Sequence, residues 1–184
     1  MFGLFKRRIA PPDPVTFRQQ IVIDRPPEAV FALLDFDSAD YRQAALGHRL
    51  ERHGAGEYRL TATFAPQEPF LIEVIENRSP ELLETRTKMA RTMGHLDVLE
   101  ETYRLAPSGA NGTRVVHTAT ATFDAGLSWR RYGKELCFVS IACVNELRKL
   151  KLHAEQGAEA ARAVMLETDT AVLDAALAAP AAAT

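Results

Sequence analysis

His48, His53, His95, His117 and His153 show neither the i,i+4 helical spacing nor the Cys/His clustering of a zinc site, so no metal is expected. His117 falls in the alternating run Val115, His117, Ala119, Ala121 and Phe123, which on a strand places it on one face with apolar neighbours, pointing inward. There a neutral imidazole can hydrogen-bond a ligand or act as a base. The alternative is a core histidine satisfied by nearby backbone or a tyrosine.

His95, Asp97, Glu101 and Tyr103 alternate in the same way and would bring acid, base and phenol to one strand face. At about 3.3 Å per residue, however, the Asp97 and Glu101 carboxylates stand roughly 13 Å apart, too far to flank one bond as a paired acid and base. A solvated outer face explains Asp97. Arg86 and Lys88 alternate with Thr85 and Thr87, and cross-strand pairing with Glu100 or Glu101 accounts for them without an anionic ligand. Cys137 and Cys143 lie six apart in a helical stretch, which points them about 120° from each other. They can neither pair nor form half a metal site. No serine sits in a nucleophile elbow, and no glycine-rich phosphate loop is present.

What could position these groups is a sheet. Thr16 to Ile23 alternates and is rich in β-branched residues, giving a first strand. Asp24 with Pro26, Pro27 and Glu28 starts a short helix carrying Ala29, Val30, Phe31, Leu33 and Leu34, and Asp37 or Ser38 can cap a second one through Ala45. From Gly47 onward the period is two, and turn residues cut out strands over 47–53, 57–64, 70–77, 81–89, 95–106 and 113–123. Short connections between them make an antiparallel meander the economical topology. Tyr58, Leu60, Ala62 and Phe64 share one face, as do Phe70, Ile72 and Val74. In 95–106, Leu96 and Val98 point opposite to Leu99, Tyr103 and Leu105; a bulge near Leu99 would reconcile them and leaves the inward face open.

Ser128 to Glu155 then forms one long helix, with Trp129, Tyr132, Leu136, Val139, Cys143, Leu147, Leu150 and Ala154 recurring at three and four. Its middle, residues 136–144, is apolar on nearly every side and calls for cover from the sheet and from something else. Gly157 can stop it. An alanine-rich fourth helix follows, ending before Pro180, with a packing or subunit-contact role over 158–179.

The chain of 184 residues carries 22 Lys and Arg against 24 Asp and Glu, a formal charge of −2 that gives no field for steering onto nucleic acid. Its 47% apolar content fits one ordinary globular domain. In the opening residues the charges of Lys6, Arg7 and Arg8 follow the apolar Phe2, Leu4 and Phe5, the reverse of a secretory signal. No run approaches the roughly 18 apolar residues of a spanning helix, so a cytoplasmic protein is expected, with at most weak contact of this tail with a membrane surface.

The run Ile21-Val22-Ile23-Asp24-Arg25-Pro26-Pro27-Glu28-Ala29-Val30-Phe31-Ala32-Leu33-Leu34 resembles the opening of the START-like, or SRPBCC, superfamily of helix-grip proteins. Tyr103-Arg104-Leu105-Ala106-Pro107, followed by Gly112-Thr113-Arg114-Val115, is similar to its recurrent hairpin between the last two strands. The resemblance covers about residues 15 to 155. It implies an α+β fold in which a curved seven-stranded antiparallel sheet wraps around a long C-terminal helix, with two short helices after the first strand. It also implies that an apolar or amphipathic small molecule is held between sheet and helix, and some members carry out chemistry there, such as polyketide cyclisation. The Rieske cysteine and histidine spacing is absent, and no cofactor is implied.

The expected organisation is thus a tail (1–14), a helix-grip domain (15–156) and an alanine-rich extension (157–184). The side chains expected to wall its pocket are Tyr58, Phe64, Phe70, Tyr103, His117, Trp129 and Phe138, each of which could instead fill the core. A carrier of a small hydrophobic molecule is the leading expectation, a cyclase-type enzyme the second, and an interaction module the third.

Overall fold

The computed structural model describes residues 13–89 and 94–178. The expectations for the basic apolar tail and for the last residues fall on 1–12 and 179–184, outside the described residues. A single sheet holds β1 (Val15–Ile23), β2 (Arg49–Gly54), β3 (Glu57–Thr61), β4 (Phe70–Arg78), β5 (Leu82–Lys88), β6 (Leu96–Ser108) and β7 (Gly112–Phe123). Its order is β1-β7-β6-β5-β4-β3-β2, and each neighbouring pair is antiparallel. The predicted meander is there, with β1 added beside β7 at its far edge. β7 shows why one face is buried: residues alternate from Thr113 to Phe123, with Val115, His117, Ala119 and Ala121 fully enclosed.

α1 (Pro27–Ala32) follows β1, with Pro27 at the first helical position, where its missing N–H costs nothing. Val30 and Phe31 bury against Ile23, Leu105, Val115, Leu147 and Leu150. The second short helix is smaller than expected. α2 spans only Arg42–Ala45, and Tyr41 precedes it without a side-chain cap. Asp37 and Ser38 are instead consumed in turns, the Asp37 amide donating to Asp35 Oδ1 (3.2 Å) and Asp40 to Ser38 Oγ (3.1 Å).

β3 also stops earlier than the alternation suggests. The chain turns at Ala62, whose carbonyl accepts from the Ala65 amide (3.1 Å), and Phe64 leaves the sheet. β6 contains the predicted irregularity, placed at Asp97: Leu96 pairs with Phe123 and Val98 with Thr122, leaving Asp97 unmatched.

α3 (Trp129–Gln156) runs 28 residues from the Ser128 cap, whose Oγ accepts from the Arg131 amide (3.3 Å), to Gly157 at φ 91. Val139, Cys143, Leu147 and Leu150 face the sheet. The expected cover around residues 136–144 is incomplete, since Phe138 and Ile141 remain 52% and 40% exposed. The extension is two helices rather than one, α4 (Ala158–Ala163) and α5 (Thr170–Ala178). Between them Glu167 Oε1 captures the amides of Thr168 (2.9 Å) and Asp169 (2.6 Å), and Asp169 Oδ1 that of Ala171 (2.8 Å), which breaks one helix and starts the next. Both lie on α3: Asn145 Nδ2 donates to the Thr168 carbonyl (2.9 Å), Arg148 pairs with Asp174 (2.6 Å), and Leu173 is fully buried. No helix among the described residues is long and apolar enough to cross a membrane.

Candidate functional site

The inner faces of β3 to β6, the segment from Leu34 to His48 and one side of α3 enclose a cavity of about 360 Å³. Leu60, Phe70, Ile72, Leu99 and Val139 form much of its apolar wall, and Met165 of the extension contributes to it. Its polar groups concentrate where Arg42, Glu101, Tyr103 and Glu146 meet.

Cross-strand register builds this end. Gln19 on β1, His117 on β7 and Tyr103 on β6 stand directly opposite one another. Tyr103 stacks on His117, with centroids 4.5 Å apart and planes inclined by 20°. His117, completely buried, sets Nε2 2.9 Å from Glu101 Oε1, while its Nδ1 lies 3.3 Å from Gln19 Nε2. Glu101 can only accept at this contact, so His117 Nε2 carries a proton and donates it to the carboxylate. The Tyr103 hydroxyl lies 3.2 Å from Glu101 Oε1 and 3.1 Å from Glu146 Oε1, and Arg42 from α2 pairs with Glu146. A continuous polar relay therefore crosses from the β1 edge to α3 and α2.

Burial pushes the Glu101 carboxyl up, but the hydrogen bond and charge of His117, the Arg42 charge and the Tyr103 hydroxyl outweigh it and hold the group below its usual value. Burial and then the Glu101 charge drive the Tyr103 phenol well above its own. The same two causes push the Cys143 thiol on the cavity wall up to about 12. His48, another wall residue, is pulled down by burial and by Arg42, and its Nδ1 accepts from the Thr63 amide (3.2 Å). The cavity thus offers a carboxylate oriented by a buried imidazole, a phenolic donor and an apolar wall. Among the described residues no cluster of His, Cys, Asp and Glu could hold a metal.

Of the residues singled out from sequence, Phe64, Phe70, Tyr103 and Phe138 line this cavity. Phe64 and Phe138 are 48% and 52% exposed, which places them at its mouth. His117 faces inward but stands behind Glu101 and Tyr103, off the wall. Tyr58 is buried beside the cavity, stacked on Phe36 at 4.9 Å, and burial with Asp37 pushes its phenol up to about 12. Trp129 lies elsewhere, 63% exposed in an open hollow at the start of α3 beside His95 and Asp124. His95 and Asp97 do not share a face with Glu101 and Tyr103, because the Asp97 bulge shifts the phase. Arg86 pairs across strands with Glu100 (2.9 Å) and Glu73 (3.4 Å), as a structural role requires.

Sequence reasoning missed Arg42, Glu146 and the inward role of Glu101. One signal for Glu146 was available: it sits three after Cys143 and four before Leu150, inside the apolar stripe of α3.

A family model described as polyketide cyclase / dehydrase and lipid transport matches residues 14–155. Solved structures with this fold include Ara h 8.0201, at TM-score 0.57 and 12% identity over 77% of this chain and 98% of that one. A START superfamily protein from Mycobacterium smegmatis aligns at TM-score 0.54 and 13% identity, over 77% and 97%. DynU16, from the dynemicin biosynthetic locus, aligns at TM-score 0.56 and 19% identity, over 79% of this chain and 49% of that one. Among curated proteins no sequence matches.

Proposed function

Because the chain belongs to the polyketide cyclase / dehydrase and lipid transport family, we propose that it binds a small hydrophobic or amphipathic molecule between the sheet and α3. The observation that carries this reading is the cavity of about 360 Å³ with an apolar wall and polar groups gathered at one end. Its volume lies in the range of small-molecule sites, and that division of polarity suits a guest with an apolar body and one polar head. Met165 makes the extension part of the wall, so residues 158–178 serve the cavity in this reading rather than a subunit contact.

The test is the mass of protein purified from its native host under native and denaturing conditions, with the difference extracted and identified. A near-stoichiometric apolar molecule supports the proposal. Protein that is empty and takes up no apolar fluorescent probe refutes it, and Ala62→Trp, which fills the wall from β3's end, is the blocked control.

A second reading, a cyclase-type enzyme, is favoured by Glu101 and Tyr103 meeting on the cavity wall with His117 behind them. Glu101 would take a proton from carbon beside a bound carbonyl, and His117 would act through it as a positioning residue. Loss of turnover of a poly-β-carbonyl substrate in Glu101→Gln, with substrate binding kept, is the expected result; unchanged turnover excludes this role.

A further inference from the structure

Cations and exposed apolar side chains that the core leaves unused gather at one end of the molecule. Trp129, Arg130, Arg131 and Lys134 wall the open hollow at the start of α3, together with His95 and Asp124. Arg130, Lys134, Phe138 and Ile141 follow one another at steps of four, four and three, which aligns them on one face of the helix, and all four are exposed. This ridge leads from three cations and an indole to Phe138 at the mouth of the cavity. Arg130, Arg131 and Lys134 form no ion pair with any described residue. Of the acids nearby, Asp124 is taken by His95 (3.2 Å) and Glu135 turns toward Gly94.

The chain enters the sheet at this same end. β1 begins at Val15, opposite Ala121 and three residues before Asp124, and Phe17 packs in one cluster with Leu127 and Tyr132. Residues 1–14 therefore join the molecule beside the hollow, and they bring Phe2, Leu4 and Phe5 with Lys6, Arg7 and Arg8. The tail and the start of α3 together set six cations against the acids Asp13, Asp124 and Glu135, while Lys88 and Asp97 at the adjoining strand ends cancel each other. This excess of positive charge stands in a chain whose total is −2.

A partner for such an end must be anionic and must also receive exposed rings. A bilayer with acidic headgroups meets both needs, because Trp and Phe settle at the headgroup level while Lys and Arg lie with their stems along the apolar boundary and their charges among the phosphates. A nucleic acid backbone would engage the cations and leave Phe138 and Ile141 in water. A second copy of the chain would bring like charges together.

We propose that the tail of residues 1–14 and the ridge from Trp129 to Ile141 form one docking surface for an anionic lipid bilayer. Docking sets the mouth of the cavity at Phe138 against the membrane, so an apolar guest passes between bilayer and cavity without crossing bulk water. The surface is independent of whether the cavity is filled, and its failure would leave the ligand-binding reading standing.

Flotation of the full-length protein with vesicles tests it, comparing pure phosphatidylcholine with phosphatidylcholine containing about one third phosphatidylglycerol. Partition onto the acidic vesicles is expected to be at least tenfold higher and to fall severalfold as salt rises from about 0.1 M to about 0.5 M. The combined change Arg130→Ser, Arg131→Ser and Lys134→Ser should weaken it at least tenfold, and Trp129→Ala severalfold. Arg78→Ser, Arg104→Ser and Arg114→Ser remove the same charge from exposed positions toward the opposite end of the sheet and should change partition little. Equal partition onto both vesicles, or none, overturns the proposal, and retention on poly-glutamate without vesicle binding assigns the surface to an acidic protein instead. Acidic-vesicle binding that survives the triple change on α3, or falls as much in the control, also overturns it, since the ridge then takes no part.

Discussion

Replacing Tyr103 with phenylalanine should destabilise the protein measurably while leaving its packing intact. The ring is 5% exposed and stacks on His117, so Tyr103→Phe keeps that contact and removes only the hydroxyl. One proton means one hydrogen bond lost, and its acceptor is a carboxylate, for which about 1.5–3 kcal/mol is typical. The Glu101 and Glu146 side chains are 20% and 25% exposed, so water can partly replace the donor, and the expected cost falls at the lower end, about 1.5 kcal/mol. For a chain of this size that corresponds to a melting temperature lower by about 3–6 °C. Urea denaturation provides the assay, with an unchanged m-value as the sign that the native state keeps its compactness. Arg86→Ala is the control, because the pairs it breaks with Glu73 and Glu100 are half-exposed, and its midpoint should hardly move. Combining Tyr103→Phe with Glu146→Gln should give a coupling energy of about 1 kcal/mol. A Tyr103→Phe midpoint equal to that of the unaltered protein, or additive double-mutant costs, would refute the reasoning that the relay is hydrogen-bonded in solution.

Acidification supplies another test. Burial first, and then Arg42, holds the folded values of His48 and His153 below 6.5, so the unfolded chain takes up their protons first. Their contribution to stability is complete above about pH 6.5 and is lost as pH falls below it, and His153→Leu, which removes a buried Nδ1 lacking a partner, should flatten the profile between pH 7 and pH 5.5. The two thiols should separate in an Ellman titration: exposed Cys137 reacts promptly, while Cys143, pushed up to about 12, reacts only on unfolding. Equal rates would contradict the burial of Cys143. Ending the chain at Gly157 removes Met165 from the cavity wall and the hydrogen bonds to Asn145 and Lys149, so stability should fall and an apolar probe should dissociate several times faster. An unchanged off-rate measured by stopped flow would show that the extension does not close the cavity.

The fold was legible where a residue's own pattern decides its place. β7 alternates without interruption from Thr113 to Phe123, α3 repeats at three and four, and Pro27 marks the start of α1, so the order of elements and the inward face of β7 followed directly. The elements that were misjudged are those decided by competition. Asp37 and Ser38 have the side chains of caps, but the Asp40 amide claims Ser38 Oγ in a turn and the Arg52 guanidinium claims the Asp37 carboxylate; Glu167 and Asp169 split a composition that otherwise reads as one helix. Trp129 fits the inward stripe of α3 by spacing, yet it sits at the helix start beyond the cavity's reach.

The site was less legible because it depends on one residue of β6 that has no partner on β7. Along β6, Leu96 and Val98 argue for one inward face and Leu99, Tyr103 and Leu105 for the other, and sequence alone cannot say where the phase changes. Pairing with β7 settles it, because Phe123 takes Leu96, Thr122 takes Val98, and Asp97 is left over. Both Leu96 and Leu99 then reach the cavity, and every second residue beyond them, Glu101, Tyr103 and Leu105, turns inward. Without the extra residue, Leu96 would turn outward or Glu100, Thr102 and Arg104 would face the core in place of Glu101 and Tyr103. The bulge therefore does two things at once: it keeps the apolar end of the strand buried, and it brings Tyr103 opposite the already inward His117, with Glu101 beside it. A buried histidine legible from β7 gained a carboxylate and a phenol through a register its own strand does not encode.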